Sequence, residues 1–335
     1  MRVLVVGQGL AGSWVAWYLR NRNVDVTIVD PGHATTSSRV AAGLITPITG
    51  RRLHTTWKGA VVTPVAYEAY AEIESRFGVS VLDQRPLRRI FRDASMPALF
   101  AARCATDEFD WLRVSPLEPG EHHGVEFPFG GFEVDAAAVE TSVFLDTMRT
   151  ALNVVSDTVD GTQWKELEHD HDVVVWCDGW TAQEQPLWSW LPFAPVKGEI
   201  LDVHIEGFSI DHMLSAGIWL VPRGNERYRL GSTYDWDNLN DIPTELAKTS
   251  LIAQATHLLQ RTITVEGHRA AVRPASHMRR PYVGPHPLHP RQYICNGFGT
   301  KGSLLTPWVA RHLVDHLVDA TPLDAEIDVR QWWRG

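Results

Sequence analysis

Cysteine is scarce in this chain: three in 335 residues, at Cys104, Cys177 and Cys295, with no CxxC pair. That argues against a disulfide framework or a zinc site and fits a reducing cytoplasm. Positive charge is also short, with 31 Lys and Arg against 40 Asp and Glu and a net charge of −9. Nonspecific nucleic-acid binding is therefore not expected. A small anionic substrate would need a local basic site, because the average field repels it. No uninterrupted apolar run reaches the ~18 residues of a membrane span. The apolar start, residues 1–18, is broken by Gly7, Gly9 and Gly12. It also lacks the small-residue cleavage site of a signal peptide. Repeats, low-complexity tracts and a convincing Ser/His/Asp or paired-carboxylate constellation are missing too.

What is present is an ordinary globular composition, 44% hydrophobic and 21% charged, which excludes disorder at this length and allows two lobes. Fourteen tryptophans either line an apolar pocket or fill a large core.

The opening is the most informative stretch. Residues 2–6 (RVLVV) read as a parallel strand buried on both faces. The sequence GQGLAG follows at 7–12, then a helical pattern to about 22, then a second strand at 24–29 ending on Asp30. Gly7 suits a tight turn, Gly9 a close approach of pyrophosphate to the backbone, and Gly12 close packing of helix on strand. The helix N-terminus, with Leu10 and Ala11, offers free N–H groups to phosphate, and Asp30 can accept from an adenosine ribose. A bound dinucleotide is predicted. This unit alone does not separate FAD from NAD.

Beyond Asp30, a nicotinamide-binding domain would continue to a third strand and another crossover helix. Instead come hydroxyls at Thr35, Thr36, Ser37 and Ser38, then small residues at Ala41, Ala42 and Gly43. They suit a pyrophosphate and a flat ring system, or else a polar loop leading into a buried turn.

Several motifs recur in a set order. After residues 7–30, the stretch from Ser37-Ser38 to Ala42-Gly43-Leu44 is similar to an "SS…AAGM" segment. VVVWCDGW at 173–180 is similar to "VVxAxGxW", and PVKGE at 195–199 to "PxxGQ". WLVPR at 219–223, followed by LGST at 230–233, is similar to "YxxPR…xGxT". VRP at 272–274 with PYVG at 281–284 is similar to "GLRP…PxIG", and NGFGTKG at 296–302 to "GHxxxG". Over nearly its full length the chain thus resembles the D-amino-acid oxidase, glycine oxidase and sarcosine oxidase superfamily of flavoenzymes. The oxidase domain of the bifunctional tRNA wobble-uridine modification enzyme also belongs there.

The resemblance implies an α/β fold: a discontinuous Rossmann-type FAD-binding domain (1–80, 133–190 and 276–335) and a second α+β substrate domain (81–132 and 191–275) on a mostly antiparallel sheet. It implies FAD held by the glycine turn, Asp30, the 37–44 segment and the backbone of Val159. The C-terminal loop Gly299, Thr300, Lys301, Gly302 and Ser303 would face the flavin. No cysteine near Lys301 invites covalent attachment, so the FAD is expected to be noncovalent. Local patterns predict helices at 135–150, 244–259 and 304–318, strands at 154–159, 200–205 and 228–230, and a hairpin at Gly224-Asn225. There are departures: Cys177-Asp178 replaces an Ala or Thr pair, Ala271 a glycine, Val272 a leucine, and HMRR at 277–280 a stretch in which many members carry aspartate.

The implied activity is oxidation of the C–N bond of an amino acid or secondary amine by hydride transfer to flavin, with the protein supplying orientation and electrostatics. Arg273, in VRP, would hold a substrate carboxylate or else make a structural ion pair between the domains. Trp219 and Tyr234 are pocket walls or core. His54 shapes the amine site or sits there by chance among fifteen histidines. Arg51 and Arg52 support the loop or meet phosphate. Lys301 offsets charge on reduced flavin or is a surface lysine. Two other functions remain open: a stand-alone relative of the wobble-uridine demodifying oxidase, disfavoured by the acidic charge, and a flavin-binding protein without turnover. Stereochemistry, electron acceptor and oligomeric state are not written in the sequence.

Overall fold

The computed structural model describes every residue except His33 and Gly335. The first strand, Arg2–Val6, sits inside a six-stranded sheet ordered Val154–Val155, Asp25–Val29, Arg2–Val6, Val173–Trp176, His289–Asn296, Tyr282–His286. All pairings are parallel except the last. The unbroken valine-leucine run is explained by burial of both faces. Val3 and Val5 meet helices Leu10–Asn21, Thr141–Ala151 and Gly302–Asp319, while Leu4 and Val6 meet Trp176 and Trp188 on the other side.

The second sheet has eight strands: Thr264–Arg273, Val196–His204, Arg227–Gly231, Trp219–Pro222, Met213–Ser215, Leu87–Ile90, Gly131–Val134 and Val114–Leu117. Only the pairing of Met213–Ser215 with Leu87–Ile90 is parallel. Helix Glu245–Leu259 covers one face through Leu251, Ala255 and Leu259. Thr244 caps it, its Oγ1 accepting from the Ala247 N–H at 3.2 Å. The opposite face carries Ile200, Ala271 and Trp219, which pack on Val40 of the short helix Ser37–Val40. That contact joins the two sheets.

Three predicted elements differ. Residues 135–150 are not one helix, because Ala137–Val139 is a strand paired with Leu44–Ile45 and Leu82–Gln84, and the helix starts at Thr141. Alanines read locally as helix formers. Here they are buried, and the Val139 N–H donates to the Gly43 carbonyl at 2.9 Å. The strand expected over 154–159 stops at Val155, where the Asp157 N–H turns back onto the Val155 carbonyl. The last helix begins earlier, at Gly302, directly after the turn Gly299–Lys301. The strands at 200–205 and 228–230 and the 224–225 hairpin are present, with slightly longer strands. No described helix is long and apolar enough to cross a membrane.

Trp14 anchors the core under the first sheet. It is fully buried, stacked 4.9 Å from Phe144 and edge-on to Tyr70 at 5.3 Å. Trp14→Ala should lower unfolding stability by about 3–5 kcal/mol in urea titrations with an unchanged m-value. A loss below ~1 kcal/mol would mean that this cluster does not carry the packing.

Candidate active site

The chain leaves Val6 through a turn that only glycine fits. Gly7 has φ +97°, and a Cβ there would stand 2.6 Å from the Cys177 carbonyl oxygen. A Cβ on Gly12 would overlap the Gly7 carbonyl oxygen, so helix Leu10–Asn21 lies directly on the strand it follows. Gly9 is the helix N-cap and has no side chain to close it. The Leu10 N–H donates to Ser38 Oγ at 3.1 Å, and the Ala11 and Gly12 N–H groups find no acceptor among the described residues. Asp30, at the tip of the second strand, is held firmly. It accepts from the Gln8 N–H at 2.8 Å and the Gly32 N–H at 2.7 Å, with Arg149 Nη1 at 3.2 Å. Arg149 also reaches Gln8 Oε1 and Ser156 Oγ. Sequence reasoning missed it, because an arginine in a helix's last turn reads as an ordinary C-terminal cation.

These residues open onto one cavity of about 2320 Å³ between the two sheets. Gly7, Gly9, Leu10, Ala11, Asp30 and Val159 line one part of it; Ser37, Ser38, Ala42, Gly43 and Leu44 line another. Gly299, Thr300, Lys301, Gly302 and Ser303 line it as well, and so do Arg273, Trp219 and His54. Gly12 does not, and acts through packing. Asp178 also faces the cavity, beside Gly7. Burial raises its pKa to about 7, and Oδ2 has no partner.

Arg273 lies at the end of strand Thr264–Arg273. Its Nη2 donates to Ser232 Oγ at 2.9 Å, Nη1 to the Thr233 carbonyl at 3.3 Å, and the Tyr234 ring covers it at 4.8 Å. Its floor is Gly198, where a Cβ would overlap the guanidinium. No carboxylate pairs with Arg273 among the described residues, so it is not a structural ion pair. Trp219 lies over Gly231 in the same manner, a Cβ there falling 2.6 Å from the indole.

Lys301 is not a surface lysine. Its Nζ donates to the Thr46 carbonyl and Oγ1, both at 3.3 Å, and burial followed by the nearby Arg89 pulls its pKa down to about 7. His54 stands at the rim, half exposed, with Nδ1 3.3 Å from Glu108 and Nε2 2.9 Å from Arg103. Both ring nitrogens are thus engaged on the surface, which leaves none to meet an amine.

An open helix N-terminus, a fixed acid on the neighbouring strand and a cavity walled by a second, antiparallel sheet together make the architecture of a flavin-dependent oxidoreductase. The sequence agrees: residues 2–316 match the profile of the DAO family of FAD-dependent oxidoreductases, and the chain belongs to that family. It is 26% identical to the glycine oxidase of Pseudomonas aeruginosa over 360 aligned residues, covering 96% of each chain. Against the glycine oxidase of Pseudomonas putida a segment of 136 residues is 35% identical, which spans 40% of this chain and 37% of that one. The crystal structure of glycine oxidase from Geobacillus kaustophilus superposes with a TM-score of 0.81 at 19% identity, covering 98% of this chain and 97% of that one.

The family's cofactor fits these residues. Gly9 leaves bare backbone at the open helix N-terminus, and a Cβ there would come within 2.9 Å of Ser38 Oγ. Gly9→Leu should therefore give folded but colourless protein, read as lost visible flavin absorbance with an unchanged circular dichroism spectrum. A yellow Gly9→Leu protein would remove the turn from the cofactor site.

Proposed function

We propose that the chain oxidises the C–N bond of an amino acid or of a secondary amine bearing a carboxylate. The observation that carries this reading is Arg273, an enclosed guanidinium without a carboxylate partner, opening on the same cavity as the glycine turn. Relatives named glycine oxidase support an amino-acid substrate.

In this reading bound FAD would supply the hydride acceptor for the substrate's α-carbon, and the chain's own residues would hold and orient the two. Gly7, Gly9, Leu10 and Ala11 would hold its pyrophosphate with Ser37 and Ser38. Asp30 would take the ribose, Val159 would border the adenine, and Ala42 to Leu44 with Gly299 to Ser303 would border the ring. Arg273 grips the substrate carboxylate through its planar fork and so fixes which face the α-carbon presents. Trp219 forms the wall beside it. Lys301, seated on Thr46 beside the ring segment, would supply positive charge there in its protonated form. Burial holds down the pKa of Arg273 without removing its charge at neutral pH.

Arg273→Ala should leave flavin content intact and lower kcat/KM for carboxylated amines by roughly tenfold to 200-fold, from about 1.5–3 kcal/mol of charge-assisted bonding. Arg273→Lys should recover part of it. An equal loss with carboxylate-free amines would sink the proposed contact. Gly198→Ala tests how Arg273 is seated. The overlapping atoms belong to a movable side-chain end, so the fold should survive while KM for carboxylated substrates rises about tenfold. Combined with Arg273→Ala it should add nothing. Additive losses would show that Gly198 acts elsewhere.

A further inference from the structure

The partly buried arginines of this protein are paired as a rule. Arg88 meets Glu133, Arg229 and Arg269 meet Asp202, and Arg149 meets Asp30. Arg89, like Arg261 and Arg273, breaks the rule among the described residues. It follows Arg88 on strand Leu87–Ile90, so its side chain turns to the opposite face of the sheet, onto the cavity. There it donates only to the Gly50 carbonyl, at 2.6 Å, and meets no carboxylate among the described residues. Its neighbours make this costlier. Lys301, also without a carboxylate among the described residues, and the exposed Arg92, its guanidinium against Gly217, line the same cavity and lie close enough to Arg89 for their charges to be felt. Arg89 is held down to about 10, by burial first and by Arg92 second. Asp93, the acid next in sequence, is exposed; its Oδ1 accepts from the N–H and hydroxyl of Ser95, and among the described residues it makes no ion pair with Arg89 or Arg92.

Arg92 is exposed at the cavity mouth, but Arg89 and Lys301 are partly buried, and like charges so placed without a counterion are unfavourable unless an anion joins them. The substrate carboxylate on Arg273 cannot be that anion. Four strands separate Arg273's strand from Arg89's in the sheet order. At about 4.8 Å per strand the two backbones stand roughly 24 Å apart along the sheet. Trp219 and Ser215 lie between them, Ser215 being opposite Trp219 on one side and Arg89 on the other. Even with both side chains reaching inward, one carboxylate does not meet both.

We propose that Arg89 and Arg92, with Lys301 behind them, form a second anion-binding locus in the cavity, and that the substrate is an amine carrying a second, distal carboxylate. The identity of the substrate rests on the amine-oxidation reading above; the locus does not. Arginine's fork favours a carboxylate held bidentately, and the cavity reaches from one locus to the other without a barrier strand.

The test is a titration of the oxidised holoenzyme, followed by flavin absorbance, with succinate, glutarate, adipate and suberate. Each is compared with the monocarboxylate of equal chain length. At least one dicarboxylate should bind tenfold or more tightly than its monocarboxylate partner, and the best length reads the spacing of the two loci. Arg89→Gln should erase that advantage while leaving monocarboxylate affinity unchanged, and Arg89→Lys should retain part of it. Two results would overturn the proposal. One is that no dicarboxylate outbinds its partner. The other is that Arg89→Gln shifts the flavin reduction potential yet leaves the affinity ratio intact, which would assign the cluster to the cofactor. If the ratio behaves as expected but no amine reduces the flavin, the locus stands and the amine-oxidation reading fails.

Discussion

The site depends on backbone standing where side chains would otherwise be. Gly12 lies against the Gly7 carbonyl and Gly7 against that of Cys177, so the first helix, the first strand and the strand Val173–Trp176 close on one point. This contact aims the open helix end into the cavity. The same device recurs at Gly43, with φ +76°, against Val139, at Gly198 beneath Arg273, and at Gly231 beneath Trp219. Each gap trades a side chain for a fixed distance between a wall and whatever occupies the cavity. Rigid sheets carry these gaps, which is why a large cavity can still be specific about position.

Electrostatics then divides the cavity. The chain as a whole is acidic, at −9, yet the enclosed Arg273, Arg89 and Lys301 lack carboxylate partners among the described residues. The acid at the opening unit, Asp30, is instead tied down by backbone N–H groups and Arg149. Negative ligand groups are therefore favoured only at chosen points, against a field that repels them elsewhere. Asp178 fits the same logic, since burial beside the glycine turn pushes its carboxyl toward the neutral form.

Legibility followed locality. The opening unit could be read because strand, glycines, helix and acid are contiguous, and each has a local mechanical cause. The later motifs were legible as an ordered series, and the cavity gathers residues from all of them. The Ala137–Val139 strand was not readable, because its partners lie far off in sequence and alanine gives no alternation signal. Arg149, on a helix, and Arg89, on a strand, were missed for a related reason, since what matters is which carboxylate each does or does not meet far away in sequence. His54 had the right neighbourhood in sequence, but Glu108 and Arg103, on a separate segment, hold it at the rim. Asp178 was visible only as a departure from the family pattern, and its burial gave that departure physical meaning.

The central claim, that the cavity between the sheets brings a carboxylated amine to a flavin, is tested most directly by anaerobic mixing. Purified yellow protein is exposed without oxygen to a panel of amino acids, N-substituted amino acids and carboxylate-free amines. Bleaching of the oxidised flavin band by at least one carboxylated amine, faster than by its carboxylate-free counterpart, is the predicted result. A flavin that dithionite reduces but no amine in the panel does would contradict it.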